Sequence, residues 1–261
     1  MKIAIGNYGR RVALPVALLT AAALSLTVFA AANSRPRSIA SVAPASESVL
    51  APVPTPAPVA LAADQGRFRI SANGQPVGTE EFEIRPNGDH WYAQGTTDLK
   101  AAEGPATRII SRLTLQADGT PVSYNWSTAG AKKASADITF QGNVATIVLR
   151  VEGAKPFTQQ FTFTSPQIVI LDNKAYNQYA VLARLYDRAK MGTQTFSVLV
   201  PQEMTPGSLT VESLGEITAG SAKFEELRVK TADLEVDLYL DSSHRLMRLV
   251  APASNAEVVR E

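Results

Sequence analysis

Apolar and polar side chains alternate with a period of two along most of the chain after residue 64. Phe68, Ile70 and Ala72, for example, each stand between polar neighbours. The same alternation recurs in later segments: 82–84, 109–115, 136–140, 145–151, 196–200 and 234–240. Successive side chains of a strand point to opposite faces, so this pattern predicts strands with one buried and one solvated face. We expect about a dozen of them.

Short turn sequences separate the alternating segments. They are dipeptides of glycine with asparagine or aspartate: Asn73-Gly74, Asn87-Gly88, Asp118-Gly119 and Gly142-Asn143. These residues accept the positive φ that a tight turn requires. Short connections of this kind join antiparallel neighbours, because a parallel crossover needs roughly a dozen residues or more. The chain therefore predicts an antiparallel meander.

One segment departs from the alternation and predicts an amphipathic helix. From Lys174 to Lys190, apolar residues recur at spacings of three and four, with charged residues on the opposite side. Asp172 or Asn173 would cap this helix, which would end near Gly192. A single helix between two stretches of antiparallel sheet predicts a mainly β fold. We expect a strongly curved antiparallel sheet or open β-barrel, with the helix covering its concave side.

The N-terminal segment, residues 1–32, has the pattern of a secretory signal. Basic residues at positions 2, 10 and 11 precede an apolar run from Val12 to Ala32, which ends in Ala30-Ala31-Ala32. Small side chains at that point suit a signal peptidase and predict cleavage before Asn33. The run is also about long enough to cross a bilayer, which takes roughly 17–25 residues. The alternative is an uncleaved anchor over residues 12–32 that keeps the protein close to the membrane.

Residues 33–63 form a linker rich in proline and alanine. Prolines alternate with other residues over positions 52–58, which removes backbone donors and favours an extended chain. The linker would act as a spacer before a β-rich domain over residues 64–261. We therefore expect an exported protein, either periplasmic or tethered to the outer face of the inner membrane.

Composition excludes several classes of function. The 261 residues include no cysteine, 25 basic and 24 acidic side chains, for a net charge of +1. Without cysteine there are no disulfides, thiolate metal sites, cysteine nucleophiles or lipidated cysteines. The near-neutral charge gives no reason to expect a nucleic-acid partner.

Candidate catalytic chemistry is sparse. The two histidines, His90 and His244, show no metal-ligand spacing, so we expect no metal and no cofactor. Common nucleophile, phosphate-loop and dinucleotide motifs do not occur. Acidic residues gather at Glu80–Glu83 and over residues 233–241, where the polar face of a strand accounts for most of them. Paired carboxylates about 5–10 Å apart would also suit a glycosidase-like hydrolase.

Aromatic side chains supply the candidate binding site. Tyr179, Leu182 and Tyr186 share one stripe of the predicted helix, and Trp126 lies on a predicted strand. A stripe of this kind faces whatever the helix covers. We expect Tyr179 and Tyr186 to point to the concave side of the sheet, near Trp126, where they would bind an apolar ligand.

Several short motifs remain: Gly74-x-x-Val77-Gly78; Ile170-Leu171-Asp172-Asn173 followed by Tyr176-Asn177-Gln178-Tyr179; Val200-Pro201-Gln202; and Val236-Asp237-Leu238-Tyr239-Leu240-Asp241 followed by Arg245-Leu246. Together they resemble secreted bacterial β-rich proteins grouped as a domain of unknown function. That group is similar in fold to the open β-barrels of the LolA and LolB lipoprotein carriers. The resemblance implies a barrel around a helical plug that holds acyl chains, and it implies no catalytic residues.

These observations favour an exported cell-envelope protein without enzymatic activity. It would bind an apolar or amphiphilic ligand, a lipid or an acylated protein, in its curved sheet. Two alternatives remain open. One is a carboxylate-dependent hydrolase on the concave face, and the other is an envelope scaffold that binds another protein through an exposed sheet edge.

Processing of the N-terminal segment is directly testable. If residues 12–32 belong to a cleaved signal, the mature protein should begin at Asn33, because the small side chains before it suit the peptidase. N-terminal sequencing and intact-mass measurement of protein recovered from the envelope would check this. Membrane-bound protein that retains residues 1–32 would replace cleavage with anchoring.

Overall fold

Fifteen strands in one sheet and one α-helix make up most of the chain that this computed structural model describes. The described residues are 61–100, 105–130, 133–232 and 234–261. The predicted leader over residues 1–32 and the linker up to residue 60 lie outside them. The prediction of a mainly β fold with one helix is confirmed.

The strands follow one another in short steps along the chain. They are β1 (Asp64–Ala72), β2 (Gln75–Asn87), β3 (His90–Leu99), β4 (Thr107–Gln116), β5 (Pro121–Ala129), β6 (Ala134–Gln141), β7 (Val144–Val151), β8 (Phe157–Thr162), β9 (Ile168–Ile170), β10 (Gln194–Val200), β11 (Thr205–Ala219), β12 (Ala222–Lys230), β13 (Glu235–Leu240), β14 (Leu246–Ala251) and β15 (Ala256–Arg260). Helix α1 spans Asn177–Leu185, and two 3₁₀ turns span Pro201–Glu203 and Pro252–Ser254.

Two antiparallel meanders meet at the middle of the sheet. Strands β1 to β8 form one meander and β10 to β15 the other, and the first strand pairs with the last, with Phe68 opposite Arg260. A buried ion pair joins the same two strands, since the Arg260 guanidinium contacts both carboxylate oxygens of Asp64 at 2.6 and 3.1 Å. Strand β9 departs from the predicted antiparallel pattern, because it pairs with β10 in parallel. Helix α1 makes the crossover that a parallel pair requires.

The sheet curls until its two edge strands come close together. The edges are β8 and β9, which are consecutive in the chain. Residues 163–167, which connect them, reach across at most about 20 Å. This link crosses one end of the sheet, where the Phe163 N–H donates to the Asn143 carbonyl at 2.8 Å. The expected open barrel is the result.

The interior is a single apolar core into which α1 is inserted. Alternate strand positions supply its buried side chains, among them Phe68, Ile84, Leu113, Tyr124, Ile138, Ile147, Leu227, Leu238, Leu249 and Val258. Helix residues on every side are buried, including Ala180, Val181, Leu182 and Leu185, which is expected of an enclosed helix. The far end of α1 lies against the β4–β5 turn, where a Cβ on Gly119 would stand 2.3 Å from Leu185 Cδ2.

The helix is shorter than its sequence pattern predicts, and both predicted ends are wrong. The structure ends it at Leu185, because Tyr186 takes an extended backbone conformation. The Arg188 guanidinium then donates to the Ala183 carbonyl at 3.2 Å and to the Glu225 carboxylate at 2.8 Å. A basic side chain on the last-turn carbonyls is a common way to end a helix. Asp172 does not cap the other end, and its carboxylate binds elsewhere, as described below.

Burial of the helix predicts a large cost for truncating it. Leu182→Ala should lower the free energy of unfolding by about 2–5 kcal/mol, because Leu182 is fully buried and its removal leaves a cavity between helix and sheet. Urea denaturation followed by circular dichroism measures the change. The control is Leu214→Ala on β11, where the side chain is 43% exposed and a change of about 0.5 kcal/mol or less is expected. Equal losses in both variants would contradict an enclosed helix.

Candidate functional site

Helix α1 begins on a carboxyl group that comes from a distant strand. Glu80 lies on β2, on the same face as Phe82 and Ile84, and its side chain is completely buried. Its Oε2 accepts the backbone N–H groups of Tyr176 at 2.9 Å and of Asn177 at 3.1 Å. The first N–H groups of a helix have no partner within the helix. Glu80 therefore supplies the cap that we predicted for Asp172 or Asn173.

Gly95 on the neighbouring strand β3 leaves the space for this contact. A Cβ at Gly95 would stand 2.5 Å from Glu80 Oε1 and 3.2 Å from Asn177 Oδ1. Any larger residue would therefore displace the carboxyl group from the helix. Two positions along β3, the Thr97 hydroxyl donates to the Lys174 carbonyl at 2.8 Å and ties the same chain segment to the sheet.

Burial changes the acidity of Glu80. It raises the pKa of this carboxyl to about 8, against the opposing effect of the Asn177 and Tyr176 N–H groups. A buried carboxyl in an apolar interior favours its neutral form, because the charged form has lost its hydration. At neutral pH most of the Glu80 side chains hold a proton.

A second buried acid holds the chain just before the helix. Asp172 follows β9, and its carboxylate accepts the Tyr124 hydroxyl and the Gln202 N–H, both at 2.9 Å. Its own N–H donates to Gln178 Oε1 on the first turn of α1. Burial raises the pKa of Asp172 to about 6, and the Gln202 and Tyr124 donors oppose this rise. Two of the short sequence motifs, the one over residues 170–179 and the one over residues 200–202, thus meet at one point through Asp172, Gln178 and Gln202.

Polar atoms without partners gather around the same helix turn. Within the described part of the chain, no hydrogen bond reaches Trp126 Nε1, Gln178 Nε2 or either polar side-chain atom of Asn177. Asn177 and Gln178 are each only 1% exposed and Trp126 is 6% exposed. Buried polar groups are normally paired, and each one left unpaired costs about 1–3 kcal/mol. We call Glu80, Trp126, Asp172, Asn177 and Gln178 the inner polar cluster and treat it as the candidate functional site.

The structure does not gather the predicted ligand-binding residues at one point, since Trp126 lies on β5, Tyr179 and Leu182 lie on α1, and Tyr186 follows its last residue. Trp126, Leu182 and Tyr186 are buried in the core, and Tyr179 is half-buried against it. Trp126 belongs to the inner polar cluster, whereas Tyr186 lies at the opposite end of α1. There its hydroxyl donates to the Gly192 carbonyl at 2.9 Å. Their role in ligand binding stays a prediction.

Most of the candidate acids are engaged with arginines outside the core. The shortest contacts are Glu83 with Arg85 at 3.2 Å, Asp237 with Arg228 at 2.7 Å, and Asp241 with Arg245 at 2.7 Å. Glu80 is the residue that we did not assign to the interior. Its place in the alternation, two positions before Phe82, is the signal that assigns it to the buried face.

The histidines lie apart from the inner polar cluster. His90 is exposed at the β2–β3 turn, and His244 Nδ1 lies 3.0 Å from the Glu225 carboxylate. Among the residues that the structure describes, no group of three or more histidine or acidic side chains is arranged to hold a metal ion. No helix within these described ranges is long and apolar enough to cross a membrane.

Comparison with known proteins identifies the fold. No family model matches the chain, and no curated protein matches it by sequence. The structure is similar to a β-barrel-like protein of the domain of unknown function DUF1849 from Brucella abortus, with a TM-score of 0.52 and 9% sequence identity, over 77% of this chain and 96% of that one. A DUF1089 family protein from Pseudomonas aeruginosa aligns with a TM-score of 0.43 and 10% identity, over 67% and 90% of the two chains. The first likeness confirms a β-barrel-like fold, and the similarity to LolA and LolB stays a prediction.

The raised pKa of Glu80 predicts a pH-dependent stability. Folding favours the neutral carboxyl. Between pH 4.5 and about 8, Glu80 ionises in the unfolded chain but not in the folded one, so the free energy of unfolding should fall over this interval. Above about pH 8 both states are ionised, and the free energy of unfolding should level off. The slope would be at most about 1.4 kcal/mol per pH unit. Glu80→Gln should remove this component, because the amide still accepts the helix N–H groups and does not ionise.

Urea denaturation of both proteins at a series of pH values measures the difference. Glu81→Gln, at the exposed neighbouring position, is the matched control and should follow the wild-type pH dependence. Parallel curves for the wild type and Glu80→Gln would contradict a neutral buried carboxyl.

Proposed function

We propose that this protein is an exported, non-enzymatic domain of the cell envelope that binds an apolar or amphiphilic molecule. The ligand would be a lipid, or the acyl group of an acylated protein, held between α1 and the concave sheet. One observation carries the proposal: a continuous apolar core meets buried and unpaired polar atoms at the inner polar cluster. An apolar region beside a few convergent polar groups is typical of small-molecule sites.

Helix α1 gives a physical route for entry of the ligand. The strands are joined to their neighbours by ladders of hydrogen bonds, whereas α1 is held by side-chain packing, by the Glu80 carboxyl group and by the Asp172 N–H that donates to Gln178. It can therefore shift without breaking strand pairing. An acyl chain would replace the contacts that Leu182 and its neighbours make in the core, so the exchange conserves buried apolar area.

The location rests on the N-terminal sequence pattern. The basic start and the apolar run over residues 12–32 support export, and an uncleaved run would keep the barrel at the outer face of the inner membrane. The near-neutral net charge supports partners other than nucleic acid. The exposed Phe157 on edge strand β8 supports a weaker alternative, a scaffold that pairs with another envelope protein.

A hydrolase is the second candidate, and one observation favours it. Glu80 and Asp172 are acids on the concave side with pKa values of about 8 and about 6, and a general acid needs a raised pKa to hold its proton at neutral pH. Both carboxyl groups, however, already accept hydrogen bonds from the surrounding chain: Glu80 from two N–H groups and Asp172 from three donors. Binding is therefore the better supported activity.

Retention of a lipid and quenching of one tryptophan test the proposal together. Native mass spectrometry of the full chain, purified from its own envelope, should show a bound amphiphile. Trp91→Phe leaves Trp126 as the one remaining indole, because the chain has two tryptophans. Titration of this variant with glyceryl monolaurate should change the Trp126 emission saturably, since the ligand enters the core beside that ring.

The matched control is Trp126→Phe, in which Trp91 reports from the start of β3 and should respond less. Release of laurate during the titration would favour the hydrolase. Absence of a retained lipid together with an unsaturable response would overturn the binding proposal.

A further inference from the structure

The unpaired groups of the inner polar cluster are mainly donors. Asn177 Nδ2, Gln178 Nε2 and Trp126 Nε1 all carry N–H hydrogens, and Asn177 Oδ1 is the one unpaired acceptor in the cluster. A neutral Glu80 carboxyl can donate its proton to that acceptor. Its Oε2 accepts N–H groups at 2.9 and 3.1 Å, whereas its Oε1 has only a longer contact of 3.4 Å with the Asn177 N–H, so Oε1 is the oxygen that is better placed to hold a proton and donate it. That atom and Asn177 Oδ1 face the same point above Gly95. An excess of donors remains.

Strand register places these donors around one small patch of the sheet. Gly95 is opposite Ser111 on β4, and Ser111 is opposite Trp126 on β5, so the three residues share a row of the concave face. Asn177 lies above Gly95 at one end of the row, and Trp126 stands at the other end. The residue between them in this row, Ser111, has a small side chain.

The charges near the patch limit what that group can be. Within the described residues, the hydrogen-bond partners of Glu80 and Asp172 are backbone N–H groups and the Tyr124 hydroxyl, and none is a lysine or an arginine side chain. An anion placed here would be buried beside two acids without a compensating cation, which is costly. A cation or an amine would bring further donors to a site that already has too many.

We propose that the inner polar cluster recognises an uncharged hydrogen-bond acceptor, the carbonyl of a carboxylic ester, at the head of an acyl chain. The inference rests on the proposed function and names the ligand class for the same site. The ester oxygens accept from Asn177 Nδ2 and Trp126 Nε1, and the ester brings no donor and no charge. The acyl chain continues along α1 into the apolar core.

Three probes that each contain a twelve-carbon chain, the ester's counted with its carbonyl carbon, separate the contribution of the head group from that of the chain. They are methyl laurate, dodecanesulfonate below its micellar concentration, and dodecane, each titrated into the full chain and followed by native mass spectrometry. Methyl laurate should bind about tenfold more tightly than either of the others, because it alone pairs the buried donors without adding charge.

Two variants identify the donors. Asn177→Leu removes the amide at nearly constant volume, and Trp126→Phe removes one N–H but keeps an aromatic ring. Each should weaken methyl laurate by about three- to tenfold and leave dodecane unchanged. Circular dichroism checks that each variant is folded, and Trp126→Phe keeps the test decisive if Asn177→Leu does not fold. Glu81→Gln, at the exposed neighbouring position on β2, is the control and should keep the preference for the ester, because it lies outside the inner polar cluster.

Failure of this inference differs from failure of the proposed function. Sulfonate that binds as tightly as the ester, or an ester affinity that neither variant changes, would overturn recognition of the carbonyl and leave a barrel that binds alkyl chains. Absence of binding by all three probes would overturn both proposals.

Discussion

The carboxyl group of Glu80 fixes the helix inside the sheet that surrounds it. A helix enclosed in an apolar core has its first N–H groups removed from water, and they need an acceptor. Glu80 provides it from β2, and Gly95 on β3 leaves the space that the acceptor requires. The position of α1 therefore depends on the register of two strands as well as on its own apolar side chains. This contact also determines which residues of the first helical turn face the row from Gly95 to Trp126.

Polar groups in the barrel interior serve two different purposes. Asp172 is fully engaged, because it joins β5, the turn after β10 and the start of α1 through Tyr124, Gln202 and Gln178. Such a satisfied network gives the interior one defined arrangement. The unpaired donors beside it lower stability instead, and natural proteins retain such costs mainly where a function needs them. The contrast between satisfied and unsatisfied neighbours is the strongest structural argument for a binding site at this end of the helix.

Alternation predicted most of the strands because it depends on local geometry, and the turn dipeptides predicted their antiparallel order. The local sequence pattern could not predict where the helix begins and ends, because both ends depend on residues that are distant in the chain. Glu80 is 96 residues from Tyr176, which it caps. At the other end, Arg188 contacts the Ala183 carbonyl of the last turn and is itself held by Glu225 on a later strand. Trp126 was predicted as a site residue from its aromatic ring. Asn177 stood in a motif without an assigned role, because its importance comes from missing partners that only the folded chain reveals.

Pairing between the first and last strands has a consequence for the order of folding. Strand β1 finds one of its two neighbours within a few residues, at β2, but it waits for β15 at the other end of the domain. Ribosomes release the chain from its N-terminus, so the centre of the sheet keeps an open edge until Arg260 has emerged and reached Asp64. Contacts of such long sequence separation slow folding. The barrel is completed only when β15 is available to pair with β1, and a chain that stops short of β15 exposes the middle of its sheet instead of one of its edges.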